Sequence, residues 1–92
     1  MTDDMTGLRC WVYRSPRRDE MYLYLRTEDD FAAVPAELLQ RFGAPQRVMS
    51  LDLHPQRRLA REDVAQVRAE LRAKGYYLQL PPRITPDLYY GD

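Results

Sequence analysis

Between residues 8 and 14 the chain alternates, with Leu8, Cys10 and Val12 on one side and Arg9, Trp11 and Tyr13 on the other. A period of two marks a β-strand, whose successive side chains leave opposite faces of the backbone. Residues 21–26 repeat it, Met21, Leu23 and Leu25 against Tyr22, Tyr24 and Arg26. The polar run Ser15-Pro16-Arg17-Arg18-Asp19-Glu20 between them is broken by proline and reads as a turn, so the two strands form an antiparallel hairpin. The period then lengthens. Pro35 suits a first helical position, and Glu37 a first turn, where the helix dipole favours an anion. Leu38, Leu39 and Phe42 supply an apolar face, and Gly43 with Pro45 stops the helix. So short a helix does not persist without packing, and Phe31 just upstream is expected to pack on it.

Residues 46–53 alternate again, Met49, Leu51 and Leu53 against Ser50 and Asp52, and predict a third strand. Residues 59–74 predict the longest helix, closed by Gly75, with Ala60, Val64, Val67 and Leu71 as its buried stripe. No Ser, Thr, Asp or Asn stands just before that stripe to cap it. Residues 76–80 predict a fourth strand, stopped by Pro81-Pro82. Residues 1–7 read as a flexible lead-in, and residues 83–92 as an extended tail with Leu88 and Tyr89 as docking points. The expectation is one α+β domain over residues 8–82, a mostly antiparallel sheet in the order β-β-α-β-α-β packed with two helices.

Sorting the strand residues by type gives one aromatic face, Trp11, Tyr13, Tyr22, Tyr24 and Tyr77 with Arg9, Arg26 and Gln79. The other face is then aliphatic, with Leu8, Val12, Leu23, Leu25, Met49, Leu51, Leu78 and Leu80 joined by Cys10 and Tyr76. Two arrangements fit. The aromatic face stands open, as in modules that stack unpaired bases, or a helix covers it and the molecule is an α/β/α sandwich with the tyrosines in a core.

Composition narrows the function classes. The chain has 92 residues and a mass of 10.9 kDa, enough for one domain. Fourteen basic residues balance fourteen acidic ones, so no overall field draws it to nucleic acid or membrane. Thirteen of the fourteen basic residues are arginine, which favours bidentate pairing and ring stacking. One cysteine and one histidine exclude an internal disulfide and a Cys/His zinc site. No apolar run is long enough to span a bilayer, and the acidic start is unlike a signal peptide, so the cytoplasm is the expected compartment.

Candidate chemistry is sparse. His54, with Asp52 two residues away, is the one candidate general base, in a loop before Pro55. No nucleophile pattern, phosphate loop or metal-ligand cluster accompanies it. Asp29 and Asp30 precede a helix, where acids are favoured anyway. Cys10 reads as a small buried hydrophobe. Arg14, Arg17 and Arg18, with Asp19, gather at the hairpin end in a pattern suited to phosphate or carboxylate. On the long helix Arg61, Arg68 and Arg72 fall in one stripe, Arg57 and Arg58 lie just upstream, and Glu70 stands one turn before Lys74.

Three stretches carry a resemblance. Tyr13-Arg14-Ser15 continues through Arg18-Asp19 to Tyr22-Leu23-Tyr24. Asp30-Phe31 continues through Val34-Pro35 and Glu37-Leu38 to Phe42-Gly43-Ala44-Pro45. The last is Gly75-Tyr76-Tyr77-Leu78-Gln79-Leu80-Pro81-Pro82. Together they resemble the YcgL family of small bacterial proteins over roughly residues 9–82. The resemblance implies a compact α/β domain in the bacterial cytoplasm and supplies no catalytic residue. The resulting expectation is a non-enzymatic binding module without cofactor or metal, its ligand a protein partner or single-stranded RNA, with a small enzyme built around His54 as the alternative. The residues expected to bind are Arg14, Arg17, Arg18, Asp19, Tyr22, Tyr24, Tyr77, Arg68 and Arg72.

Overall fold

The computed structural model describes residues 7–59 and 62–81. The predicted tail 83–92, most of the lead-in, Ala60 and Arg61 lie outside them. Six elements follow the expected order: β1 (Arg9–Arg14), β2 (Tyr22–Leu25), α1 (Ala36–Phe42), β3 (Gln46–Asp52), α2 (Val64–Lys74) and β4 (Tyr76–Gln79). One antiparallel sheet holds all four strands in the spatial order β3-β1-β2-β4. The hairpin is its centre, and β3 and β4 are its edges.

Register decides the faces. Directly opposed residues of an antiparallel pair share a face. Arg14 opposes Tyr22, Tyr13 opposes Leu23, Val12 opposes Tyr24 and Trp11 opposes Leu25. The turn joins Arg14 to Tyr22 across an even separation, so odd-numbered residues of β1 lie with odd-numbered residues of β2. The division into one aromatic and one aliphatic face is therefore corrected. Trp11 and Tyr13 lie with Leu23, Leu25 and Leu78, while Tyr22, Tyr24 and Tyr77 lie with Cys10, Val12 and Leu51. The alternation within each strand is as read; the phase between strands is set by turn length, which residue type does not report.

Each mixed face has its own helix. On the first, Tyr13, Met21, Leu23 and Leu25 pack against Val34, Leu38 and Phe42, with Phe31 alongside as expected. Tyr13 and Phe31 meet edge to face at 5.1 Å. On the second, Cys10, Val12 and Tyr24 pack against Leu53, Val67 and Leu71. The molecule is thus an α/β/α sandwich.

Helix α2 begins at Val64, five residues later than the periodicity predicts. Asp63, inside the predicted helix, is its cap: the carboxylate accepts the Ala65 N–H at 3.0 Å. Leu59, predicted to open the helix, instead lies in the loop that runs from Leu53. At the other end Gly75 takes a left-handed conformation with φ 92°, and its N–H reaches the Leu71 carbonyl. Helix α1 has Pro35 at its N-cap and no side-chain cap, so packing through Leu38 and Phe42 sustains it.

Candidate binding groove

Helix α2 covers only one end of its face. The uncovered end is a groove of about 390 Å³, with Val12, Tyr24, Met49 and Leu51 of the sheet in its lining. Arg14 and Tyr22 line it from the hairpin, and the loop after β3 adds Arg57, Arg58 and Leu59. The loop is held at its root. Leu53 is buried in the second core, the buried Arg68 guanidinium donates to the Leu53 carbonyl, and the Arg57 N–H closes a turn onto His54 C=O at 3.0 Å. Arg14 is aimed by a hydrogen bond from Nε to Gln46 Oε1 at 3.0 Å. The Tyr24 hydroxyl donates to Gln79 Oε1 at 2.8 Å, and its ring meets Tyr77 edge to face. Tyr24 is buried, so Tyr22 is the ring more open to a ligand.

The residues expected to bind separate into groups. Arg14, Tyr22 and Tyr24 meet in the groove; Arg17, Arg18, Asp19, Tyr77, Arg68 and Arg72 do not line it. Arg17 lies on Gly43, where an added Cβ would stand 2.9 Å from its Cγ, and Gly43 has φ 87°. The Tyr77 hydroxyl donates to Glu62, and burial with that carboxylate pushes its ionisation well above the usual tyrosine value. The Arg72 carbonyl accepts from Arg26 at 3.5 Å. The hairpin itself is organised by Ser15, buried, whose Oγ donates to the Phe42 carbonyl at 2.5 Å and accepts the N–H groups of Arg17 and Arg18. Sequence reasoning took Ser15 as part of a polar turn; serine directly before Pro and two turn residues was the available signal.

The catalytic candidates are dispersed. His54 is exposed, and the Asp52 carboxylate is engaged by Arg9 at 3.7 Å. Asp29 accepts the Tyr13 hydroxyl at 2.7 Å, and Asp30 caps the Ala32 N–H. Cys10 is fully buried, and burial pushes its thiol up to about 12. No group of three potential metal ligands occurs among the described residues. A second hollow, of about 510 Å³, lies beside Trp11 at the outer strand, but its charged groups, Arg47 and Glu28, are already paired with each other. Arg57 and Arg58, read only as enlarging a basic region, are brought onto the groove by the path of the loop after β3.

A small antiparallel α/β/α domain with one basic-rimmed groove is the class that fold and site define. Residues 10–82 match the YcgL domain model, and the chain belongs to the YcgL domain family. A YcgL domain-containing protein of Proteus mirabilis is 49% identical over 75 residues, covering 82% of this chain and 77% of that one. One from Yersinia enterocolitica is 51% identical over 73 residues, covering 79% and 81%. One from Pectobacterium atrosepticum is 47% identical, covering 82% and 88%. No helix among the described residues is long and apolar enough to cross a membrane.

Proposed function

We propose that this protein is a non-catalytic binding module of the bacterial cytoplasm that takes an acidic, apolar-anchored segment of a partner protein into the groove between β3 and the hairpin. One observation carries the reading: an apolar lining of Val12, Met49 and Leu51 edged by the guanidinium groups of Arg14, Arg57 and Arg58. An apolar centre with an arginine rim fits side chains that bury a hydrophobic anchor and present carboxylates beside it. The polar groups are mostly guanidiniums and the Gln79 amide, which do not exchange protons near neutral pH, and this supports binding over catalysis.

Single-stranded RNA is the second reading, favoured by Tyr22 beside three arginines. Its ring platform is short, because Trp11 and Tyr13 lie on the opposite face and Tyr24 is buried. The test is a displayed peptide library selected on the wild-type chain and counter-selected on Arg57→Glu/Arg58→Glu. Recovered peptides should join aliphatic or aromatic anchors to Asp or Glu and bind the double variant at least about tenfold more weakly, near 1.4 kcal/mol. Recovery of no such peptide, with labelled single-stranded RNA binding in a steeply salt-dependent way, would replace this reading by the second.

A further inference from the structure

The two edges of the sheet differ. Strand β4 has four residues and runs into Pro81-Pro82. Strand β3 has seven residues and contains neither proline nor lysine, two of the guards of an exposed edge, and its bulge is confined to the N-terminal end. Its Val48 and Met49, 44% and 51% exposed, are the large hydrophobic residues left exposed among the described residues.

The backbone of β3 is open on its outer side. Leu8 and Leu53 exchange both backbone hydrogen bonds, at 3.2 and 2.9 Å. In an antiparallel ladder such pairs recur at every second residue. The register Cys10 to Leu51 and Val12 to Met49 therefore turns the backbone groups of Leu51 and Met49 towards β1. Those of Ser50 and Asp52 point outwards. The ladder shifts between Val12 and Tyr13, where Val48 is the unpaired extra residue.

We infer that the outer edge of β3 pairs with the same edge of a second copy of this chain, antiparallel about a two-fold axis at Ser50. Four observations fix the occupant. First, Ser50 opposes Ser50 of the second copy, so the outward N–H and C=O groups satisfy each other. Second, the axis sets Met49 opposite Leu51 of the second copy, covering the exposed apolar residue. Third, charges interleave. Arg47 already pairs with Glu28, and Asp52 with Arg9. Pairing lays Arg47 beside Asp52 of the second copy, which extends the two ion pairs into a row of alternating sign. Fourth, Met49 and Leu51 line the groove, so pairing joins the two grooves across the axis into one longer channel. The dimer does not depend on what the groove binds.

The contact is a single strand pair, and the dimer is expected to dissociate in the micromolar range. Sedimentation equilibrium of the full chain, up to about 200 μM, should show a monomer–dimer equilibrium. Ser50→Pro removes an outward N–H that no β1 residue uses, so the variant should stay folded by circular dichroism and dimerise at least tenfold more weakly. Met49→Lys places a charge at the apolar contact on a side chain already half exposed, and should weaken the dimer to a similar degree. A wild-type chain that stays monomeric throughout overturns the inference. So does a dimer untouched by Ser50→Pro, or, should that variant misfold, one untouched by Met49→Lys.

Discussion

The two faces of the sheet carry helices of unequal length, and the shorter helix buries the hairpin beneath it more completely, leaving its own hollow only at the outer strand beside Trp11. Helix α1 has seven residues, yet Tyr13, Met21, Leu23 and Leu25 beneath it are all buried. The segment leading into it helps, through Phe31 and Val34. Helix α2 has eleven residues and leaves Met49 half exposed and the groove open. Coverage is set by where a helix lies and what its flanking loop contributes. On the α1 face the flanking loop fills the gap with Phe31 and Val34; on the α2 face it contributes arginines. A gap filled with apolar side chains becomes core, and one edged by cations becomes a site.

The largest expected effects test the sealed parts of both faces. Phe42→Ala removes a fully buried ring on the α1 face and should cost about 3–5 kcal/mol. Leu71→Ala on the α2 face should cost about 2–5 kcal/mol. Either change is a large part of the stability of a domain this size, about 5–8 kcal/mol. Met49→Ala, on the open part of the same face, should stay within about 0.5 kcal/mol. Thermal melts of the three variants measure the contrast; equal losses at Leu71 and Met49 would mean that the groove is closed in solution.

Next in size is Ser15→Ala. Its hydroxyl ties the hairpin to the end of α1, satisfying the Phe42 carbonyl and two turn N–H groups at once. Removal leaves a buried carbonyl unpaired and should cost about 1–3 kcal/mol. That is a fall in melting temperature of about 4–24 °C. The same change should leave peptide binding in the groove intact, because Ser15 works on the α1 side.

Most of the architecture is legible in the sequence, and the exceptions have identifiable causes. Strand existence follows from alternation, and both helices from their apolar stripes, because a period records which side of one element is buried. Face composition is not recorded that way: Trp11 and Tyr24 look like partners by type and are separated by the register of the hairpin. The start of α2 was hidden because Asp63 reads equally well as an exposed helix residue and as a cap, and tertiary packing of Leu53 and Leu59 decides. The groove inherits both effects. Arg14, Tyr22 and Tyr24 were foreseeable as neighbours on a hairpin; Arg57 and Arg58 join them through the path of the loop after β3, which periodicity does not record.

A smaller effect separates the buried and open ends of the α2 face by pH. Burial raises the Cys10 thiol from 9.0 to about 12, with Arg57 partly opposing. A group whose folded value is raised stabilises the fold below its unfolded value, because the unfolded chain gives up the proton first as pH rises. Stability should therefore decline between about pH 9 and 12. In Cys10→Ala the slope of that decline should be reduced, though not abolished, since Tyr13 and Tyr77 are raised as well. Urea melts at several alkaline pH values measure the slope. An unchanged slope would show that the thiol is open to solvent in the folded protein.

The smallest expected effect on stability is at the rim. Arg58 is exposed, and among the described residues it has no ion pair or hydrogen bond that its loss would break. Arg58→Ala should move the melting temperature by no more than about 2–3 °C, since exposed charges contribute little to folding. Arg68→Ala is its internal control. That guanidinium is buried and donates to the Leu53 carbonyl beside the Leu8 N–H, so its removal loses a buried charge-assisted hydrogen bond, should cost about 1–3 kcal/mol and should loosen the loop that carries Arg57 and Arg58. Binding then sorts the two. Arg58→Ala should weaken peptide binding in a fully stable protein, while Arg68→Ala should weaken it only in proportion to the loosened loop, visible as faster amide exchange across residues 53–59. If Arg58→Ala binds like wild type while Arg68→Ala does not, the arginine rim is no recognition element, and loop position alone shapes the groove.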